Sequence, residues 1–297
     1  MKKVVLIGLG AVGLTYAVKL KNKCDLRILV DEERLVKYKN NKPVFNGVEQ
    51  DFDYILPSDK LDTDLIIITV KSHGLVSAIN CLYNFVSNKT RIISLINGIS
   101  SEEIISKTYP NAKVLKSYFI GHSAVRKNNY VIQDGVGKII VEKDSFLENF
   151  FSEVGIDYVV PDDIDYSMWL KYTFNLFSNQ VSAILKMNFG QLKQNENFKN
   201  FAKNVINEVR QIAEYKGIKN LNKLESDALN SLDLMCDEGK TSMLQDIIAM
   251  RPTEVDIFAG EIIRLGEQYG IATPYNKILY ELIKIKEEDN ERCIHTC

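Results

Sequence analysis

Lys2-Lys3-Val4-Val5-Leu6-Ile7-Gly8-Leu9-Gly10-Ala11-Val12-Gly13-Leu14 is the stretch that decides the fold. The apolar run Val4 to Ile7 stops at a glycine, and a helical pattern from Ala11 to Leu20 begins almost at once. A G-x-G-x-x-G set between a strand and a helix is the dinucleotide-binding fingerprint. Gly8 permits the tight turn, Gly10 lets the backbone approach a pyrophosphate, and Gly13 allows close helix-strand packing. Leu9, Ala11 and Val12 complete the loop, while the helix start offers free N–H groups and a favourable dipole to phosphates. The expected cofactor is a nicotinamide or flavin dinucleotide.

Outward from this motif, Leu26 to Val30, Leu65 to Val70 and Arg91 to Leu95 are further Val-, Ile- and Leu-rich runs bounded by charged or turn residues, as buried parallel strands are. Helical patterns follow the first run and again span Gly74 to Val86. Strand-helix-strand repetition implies a parallel sheet covered on both faces. Val114 to Phe119, Tyr130 to Ile132 and Lys138 to Val141 read as shorter strands that finish this sheet, in part antiparallel. Beyond Pro161 the strands stop. Ile164 to Leu185, Asn197 to Tyr215, Lys223 to Met235, Ser242 to Met250, Val255 to Tyr269 and Tyr275 to Lys286 read as helices, punctuated by Gly217, Gly239, Pro252 and the segment from Gly270 to Pro274. The fold class is therefore α/β: an N-terminal Rossmann-type dinucleotide-binding domain, residues 1–161, followed by an all-helical C-terminal domain, residues 162–297, for substrate binding and dimerisation.

The chain has 297 residues, 45% hydrophobic and 26% charged, with 37 Lys and Arg against 39 Asp and Glu. These values suit two soluble domains, and the balanced charge argues against a nucleic-acid surface, which needs basic residues gathered on one face. Cys24, Cys81, Cys236, Cys293 and Cys297 form no C-x-x-C, which fits reduced thiols and a cytoplasmic protein. The apolar start breaks at Gly8 before any signal-peptide core can form, and no stretch reaches the roughly 20 apolar residues of a membrane span. His73, His122 and His295 have no paired spacing and read as hydrogen-bonded or surface residues. The tail Cys293-Ile294-His295-Thr296-Cys297 reads as a frayed terminus, and no metal is expected.

Three further segments carry candidate chemistry. At the end of the second strand, Asp31 would hydrogen-bond ribose hydroxyls and repel a 2′-phosphate, whereas Arg34, Lys37 and Lys39 just downstream would either welcome that phosphate or form a solvated helix face. In Trp169 to Asn179, Lys171, Asn175 and Asn179 stand at i, i+4 and i+8, a polar stripe on an otherwise apolar helix. This is either an exposed helix edge or a lysine and two amides aimed at a substrate. In Ser242 to Asp256, Ser242 is either a helix N-cap or a ligand-binding hydroxyl. Pro252 should end or kink one helix, leaving Glu254 in the first turn of the next, where it either complements the dipole or does chemistry.

Together these segments resemble the ketopantoate reductase (2-dehydropantoate 2-reductase) family over nearly the whole chain, through the Gly8 motif, Thr69-Val70-Lys71, Leu95-Ile96-Asn97-Gly98, Ser242-Met243-Leu244-Gln245-Asp246 and Thr253-Glu254-Val255-Asp256. The resemblance implies a catalytic pair, Lys171 as general acid and Glu254 as the essential glutamate. It also implies substrate binding by Asn97, Asn175, Asn179 and the carboxylate-binding Ser242, with Asn97 also beside the nicotinamide and Lys71 in the cofactor cleft. The implied reaction carries hydride from NADPH to the ketone of 2-dehydropantoate, giving pantoate for pantothenate biosynthesis, with a positioned ammonium stabilising the developing charge on oxygen. One departure stands out: NADPH-using members often carry an arginine near the position of Asp31, so NADH remains an alternative cofactor. A reductase of a different 2-oxo acid and a non-catalytic dinucleotide-binding redox regulator are the alternative functions. The expected partner is a small 2-oxo acid, with no nucleic acid and no membrane, and a homodimer through the helical half is compatible with the sequence.

Overall fold

The computed structural model describes residues 1–121, 123–135 and 137–295, with side chains 122–125, 134, 136 and 291–297 outside the description. Two compact units emerge, Met1–Ile164 and Asp165–Cys297. The first contains β1 (Lys3–Ile7), α1 (Ala11–Leu20), β2 (Asp25–Leu29), α2 (Glu32–Asn40), β3 (Val44–Phe45), β4 (Val48–Glu49), β5 (Tyr54–Ile55), β6 (Leu65–Ile68), α3 (Leu75–Asn80), β7 (Arg91–Ser94), α4 (Ser101–Thr108) and β8 (Lys113–Leu115). It continues with β9 (Ser117–Ile120), β10 (Ser123–Lys127), β11 (Tyr130–Asp134), β12 (Lys138–Val141), α5 (Ser145–Val154) and β13 (Tyr158–Val159).

The main sheet has the order β5-β2-β1-β6-β7-β8 and is parallel throughout. Strand alternation sends Val4 and Leu6 into a core with α1 and α5, and Val5 and Ile7 into a second core with α3 and α4. Burial on both faces is why these strands lack polar alternation. The chain runs from β1 outward to β2 and then crosses to β6 on the other side of β1, so the order reverses there. At such a switch point the strand ends diverge and leave a crevice outside their carboxyl ends.

The later strands differ from the sequence expectation. Only β8 finishes the main sheet, and it does so in parallel. Val114 to Phe119 splits into β8 and β9, and β9 joins β12 and β13 in a separate sheet of order β13-β12-β9. The β10-β11 hairpin belongs to a four-stranded sheet, β10-β11-β3-β4. Local pattern marks a strand but not its neighbour, and Val141 finds Ser117 rather than the edge of the main sheet. The expected helix from Gly74 to Val86 is a 3₁₀ turn, Ser72–Gly74, then only α3, although Leu82 and Phe85 still reach the core from the following turns.

The second unit is helical: α6 (Ile164–Leu185), α7 (Phe189–Lys193), α8 (Glu196–Tyr215), α9 (Leu224–Asp233), α10 (Ser242–Ile248), α11 (Ala259–Tyr269) and α12 (Pro274–His295). Phe177 packs on Phe198 at 6.0 Å and Phe174 stacks on Phe189 at 6.2 Å. Buried Glu208 of α8 accepts from the Tyr275 and Asn276 amides (2.8 and 3.0 Å) and from Asn276 Nδ2 (2.7 Å), satisfying the start of α12. The α12 backbone is helical to His295; Thr296, Cys297 and His122 lie outside the described residues. His73 is exposed and Cys24, Cys81 and Cys236 are free thiols. Among the described residues no helix is long and apolar enough to cross a membrane.

Candidate functional site

In the first unit the candidate residues follow one edge of the sheet. Asp31 lies just beyond β2, the glycine loop beyond β1, Lys71 beyond β6 and Asn97 beyond β7, and these four strands are consecutive neighbours. The loop is built by exclusion. Gly8 has φ +104° and a side chain there would strike Val70 N at 2.8 Å, while a Cβ on Gly13 would fall 1.8 Å from the Gly8 carbonyl oxygen. Thr69, quoted in the sequence only as part of Thr69-Val70-Lys71, braces the turn by donating from its hydroxyl to the Gly8 carbonyl at 2.6 Å and lying 3.1 Å from that of Ile7. Gly10 is different: the nearest atom to a Cβ there is the Thr69 carbonyl oxygen at 3.9 Å, an ordinary contact, so a side chain would fit without strain. Gly10 is also the N-cap of α1 and supplies no side-chain cap, leaving the first amides of the helix to an outside acceptor. Room for a side chain at Gly10 and an uncapped helix start fit a dinucleotide diphosphate.

Asp31 is itself a capping residue. It is the N-cap of α2, accepting from the Arg34 amide at 2.7 Å and from Arg34 Nη1 at 2.6 Å, with both side chains exposed. Arg34 is thus already paired. Lys37 and Lys39 fall in the last turn of α2 and are exposed, as a solvated face requires. Lys71 and Asn97 begin the segments after their strands, Lys71 exposed at the N-cap of the 3₁₀ turn and Asn97 half-buried ahead of Gly98, φ +104°.

In the second unit, Lys171, Asn175 and Asn179 do share one stripe of α6. Lys171 and Asn175 are half-buried and Asn179 is only 4% exposed, so the stripe is not a solvated edge. The Asn175 and Asn179 side chains have no hydrogen-bond partner among the described residues. Both amides keep some solvent contact, so water or a polar ligand can satisfy them. The next residue, Tyr172, ties α6 to the segment carrying Glu254: its hydroxyl lies 2.8 Å from the Phe258 carbonyl and 3.1 Å from that of Ile257, and its ring stacks on Phe258. Burial pushes the Tyr172 phenol well above the ordinary tyrosine range, with Glu261 adding to the effect, so it stays a donor.

Two bland readings from the sequence do not hold. Thr241, not Ser242, is the N-cap of α10, accepting from the Leu244 amide at 3.2 Å; Ser242 is exposed and its hydroxyl makes no hydrogen bond among the described residues. α10 stops at Ile248, before Pro252, and Glu254 stands at the N-cap of a 3₁₀ turn, Val255–Ile257, rather than in the first turn of a helix. Its carboxylate makes no cap hydrogen bond although the residue is 9% exposed. The preceding strand of loop is fixed by Arg251 on Asp246 at 2.8 Å and by the Thr253 amide on Glu287 at 2.6 Å.

Residues 4–145 match the family model described as Ketopantoate reductase PanE/ApbA, and residues 163–287 match its C-terminal counterpart. The chain belongs to the ketopantoate reductase family. With the family come a Rossmann-type fold and nicotinamide-dependent oxidoreductase chemistry. The chain is 26% identical to the 2-dehydropantoate 2-reductase of Vibrio cholerae over 305 residues, 96% of this chain and 98% of that one. It is 29% identical to the 2-dehydropantoate 2-reductase of Aquifex aeolicus over 238 residues, 75% of this chain and 76% of the relative. Among solved structures, D-mandelate dehydrogenase with NADH and anilino(oxo)acetate is similar with a TM-score of 0.85 and 26% identity, covering 97% of this chain and 99% of that one. For this ketopantoate reductase family member, the sequence analysis gave no role to Tyr172 and quoted Thr69 only within the Thr69-Val70-Lys71 segment, because the bracing contacts of both are long-range and no spacing rule reveals them.

Proposed function

We propose that this protein is an NADH-preferring 2-oxo acid reductase whose substrate is 2-dehydropantoate, reduced to pantoate. The observation that carries the substrate is the near full-length likeness to a 2-dehydropantoate 2-reductase. The unpartnered Asn175 and Asn179 amides support a polar ligand at that stripe.

The glycine loop and the α1 amides would hold the diphosphate, with Lys71 and Asn97 serving the nicotinamide end. Bound there, the coenzyme supplies hydride to the ketone carbon. Lys171 donates to the ketone oxygen and delivers the proton as negative charge builds on it. Asn175 and Asn179 orient the substrate, Glu254 accepts from its hydroxyl, and Ser242 donates to its carboxylate. Asp31 supports NADH: a 2′-phosphate would meet its carboxylate, and Arg34 is already engaged by that same carboxylate.

A second reading, reduction of a bulkier or aromatic 2-oxo acid, is favoured by the likeness to D-mandelate dehydrogenase. The deciding experiment follows coenzyme oxidation by absorbance with 2-dehydropantoate and with phenylglyoxylate, for the wild type and Lys171→Ala, with NADH and NADPH. Oxidation with 2-dehydropantoate that is faster with NADH and collapses in Lys171→Ala is the expected result. Oxidation with phenylglyoxylate alone transfers the assignment to the second reading, and binding without turnover of either acid overturns both.

A further inference from the structure

Arg126, in β10, reaches across to the glycine loop. Its Nη1 donates to the Leu9 carbonyl at 2.7 Å and its Nε to the Asn128 carbonyl at 2.8 Å. Both acceptors are neutral main-chain oxygens, and Arg126 has no carboxylate partner among the described residues. A half-buried guanidinium therefore stands against the loop with its charge unbalanced and part of its five-donor fork unused. The hairpin is held there from both sides: Arg126 pairs with Val131 of β11, and Val131, 1% exposed, packs in the same core as Leu9 and Leu14. The Leu9 carbonyl is one residue from Gly10, where a Cβ would meet nothing closer than the Thr69 carbonyl oxygen at 3.9 Å.

We infer that Arg126 is a further coenzyme-binding residue, whose guanidinium pairs with the diphosphate while its contact to Leu9 fixes the loop that presents the amides. The inference rests on the reading of the glycine loop as a dinucleotide site. A backbone carbonyl alone gives no reason for a charged fork where a neutral donor would do. A diphosphate supplies the missing counter-charge and the planar oxygen pairs that an arginine matches.

The test measures binding rather than turnover, with two probes: ADP-ribose, which carries the diphosphate, and adenosine, which carries no phosphate. Calorimetry for the first and ligand-observed NMR for the second compare the wild type with Arg126→Gln. The expected result is an ADP-ribose Kd raised roughly ten- to hundred-fold, the scale of a hydrogen bond to a charged group, with adenosine binding unchanged. Equal ADP-ribose binding by the variant, or equal losses for both probes, overturns the inference and leaves the reductase reading standing. A wild type that binds neither ADP-ribose nor NADH overturns both. If Arg126→Gln does not fold, the same comparison with Arg126→Lys decides: the charge is kept but the fork is lost, and a smaller loss confined to ADP-ribose is required.

Discussion

Replacing Glu102 by glutamine should make the stability of the protein less sensitive to pH. Glu102 lies in the first turn of α4; its Oε2 accepts from the Ser101 hydroxyl at 2.9 Å, while Oε1 is buried with no partner among the described residues. Burial pushes its carboxyl up from 4.5 to about 7, against the pull of the Ser101 hydrogen bond and the Lys116 charge. Below pH 4.5 both folded and unfolded chains hold the proton. Between 4.5 and about 7 only the folded chain holds it, so stability falls as pH rises through that window, and above about 7 the full penalty remains. At 1.36 kcal/mol per pH unit the penalty is about 3 kcal/mol. The glutamine variant carries a constant cost for its buried amide but no titration. Its stability relative to wild type should therefore rise by about 3 kcal/mol from pH 4.5 to pH 8. Chemical denaturation followed by far-ultraviolet circular dichroism, run across that range for both proteins, measures the difference. A difference that stays flat with pH would refute the buried, raised carboxyl.

Glu208→Ala should cost roughly 3–5 kcal/mol in denaturant titrations, because it strands two amides and the Asn276 side chain at the start of α12 without their acceptor. Gly13→Ala and Gly10→Ala should part company: the first drives a Cβ to 1.8 Å from the Gly8 carbonyl oxygen and disrupts folding of the first unit, seen as loss of a cooperative melt. The second meets nothing nearer than 3.9 Å, so it should fold normally yet bind NADH more weakly in a fluorescence titration. Asp31→Ser keeps a capping oxygen for the Arg34 amide but releases the Arg34 side chain, and should shift the ratio of kcat/KM for NADH over NADPH toward NADPH. An unchanged ratio would remove Asp31 from coenzyme discrimination.

The parts of this fold legible in the sequence are those whose information is local. β1, β2, β6 and β7 are short apolar runs against the glycine loop, and α6 has the bounds its pattern predicts, Ile164 to Leu185. What was not legible depends on distant partners. β9 and β12 look like strands of any sheet, and only their pairing at residues 117–120 and 138–141 takes them out of the main one. α12 continues past Lys286 through Glu287, Glu288, Asp289 and Asn290, where no apolar period signals a helix. The same division holds at the candidate site. Spacing put Lys171, Asn175 and Asn179 on one stripe, but nothing in the chain announces that Arg126 will lie against Leu9, or that Tyr172 will hold the 3₁₀ turn after Glu254.

The sheet edge also acts as a gauge. Neighbouring strands repeat about every 4.8 Å, so the three steps from β2 to β7 mark off roughly 14 Å along the line from Asp31 through the glycine loop and Lys71 to Asn97. That distance is set by backbone hydrogen bonding and not by any side chain at the edge. On the proposed coenzyme reading, substitutions among the four positions would retune what is held at each mark, whereas only the gain or loss of a whole strand would respace the marks themselves.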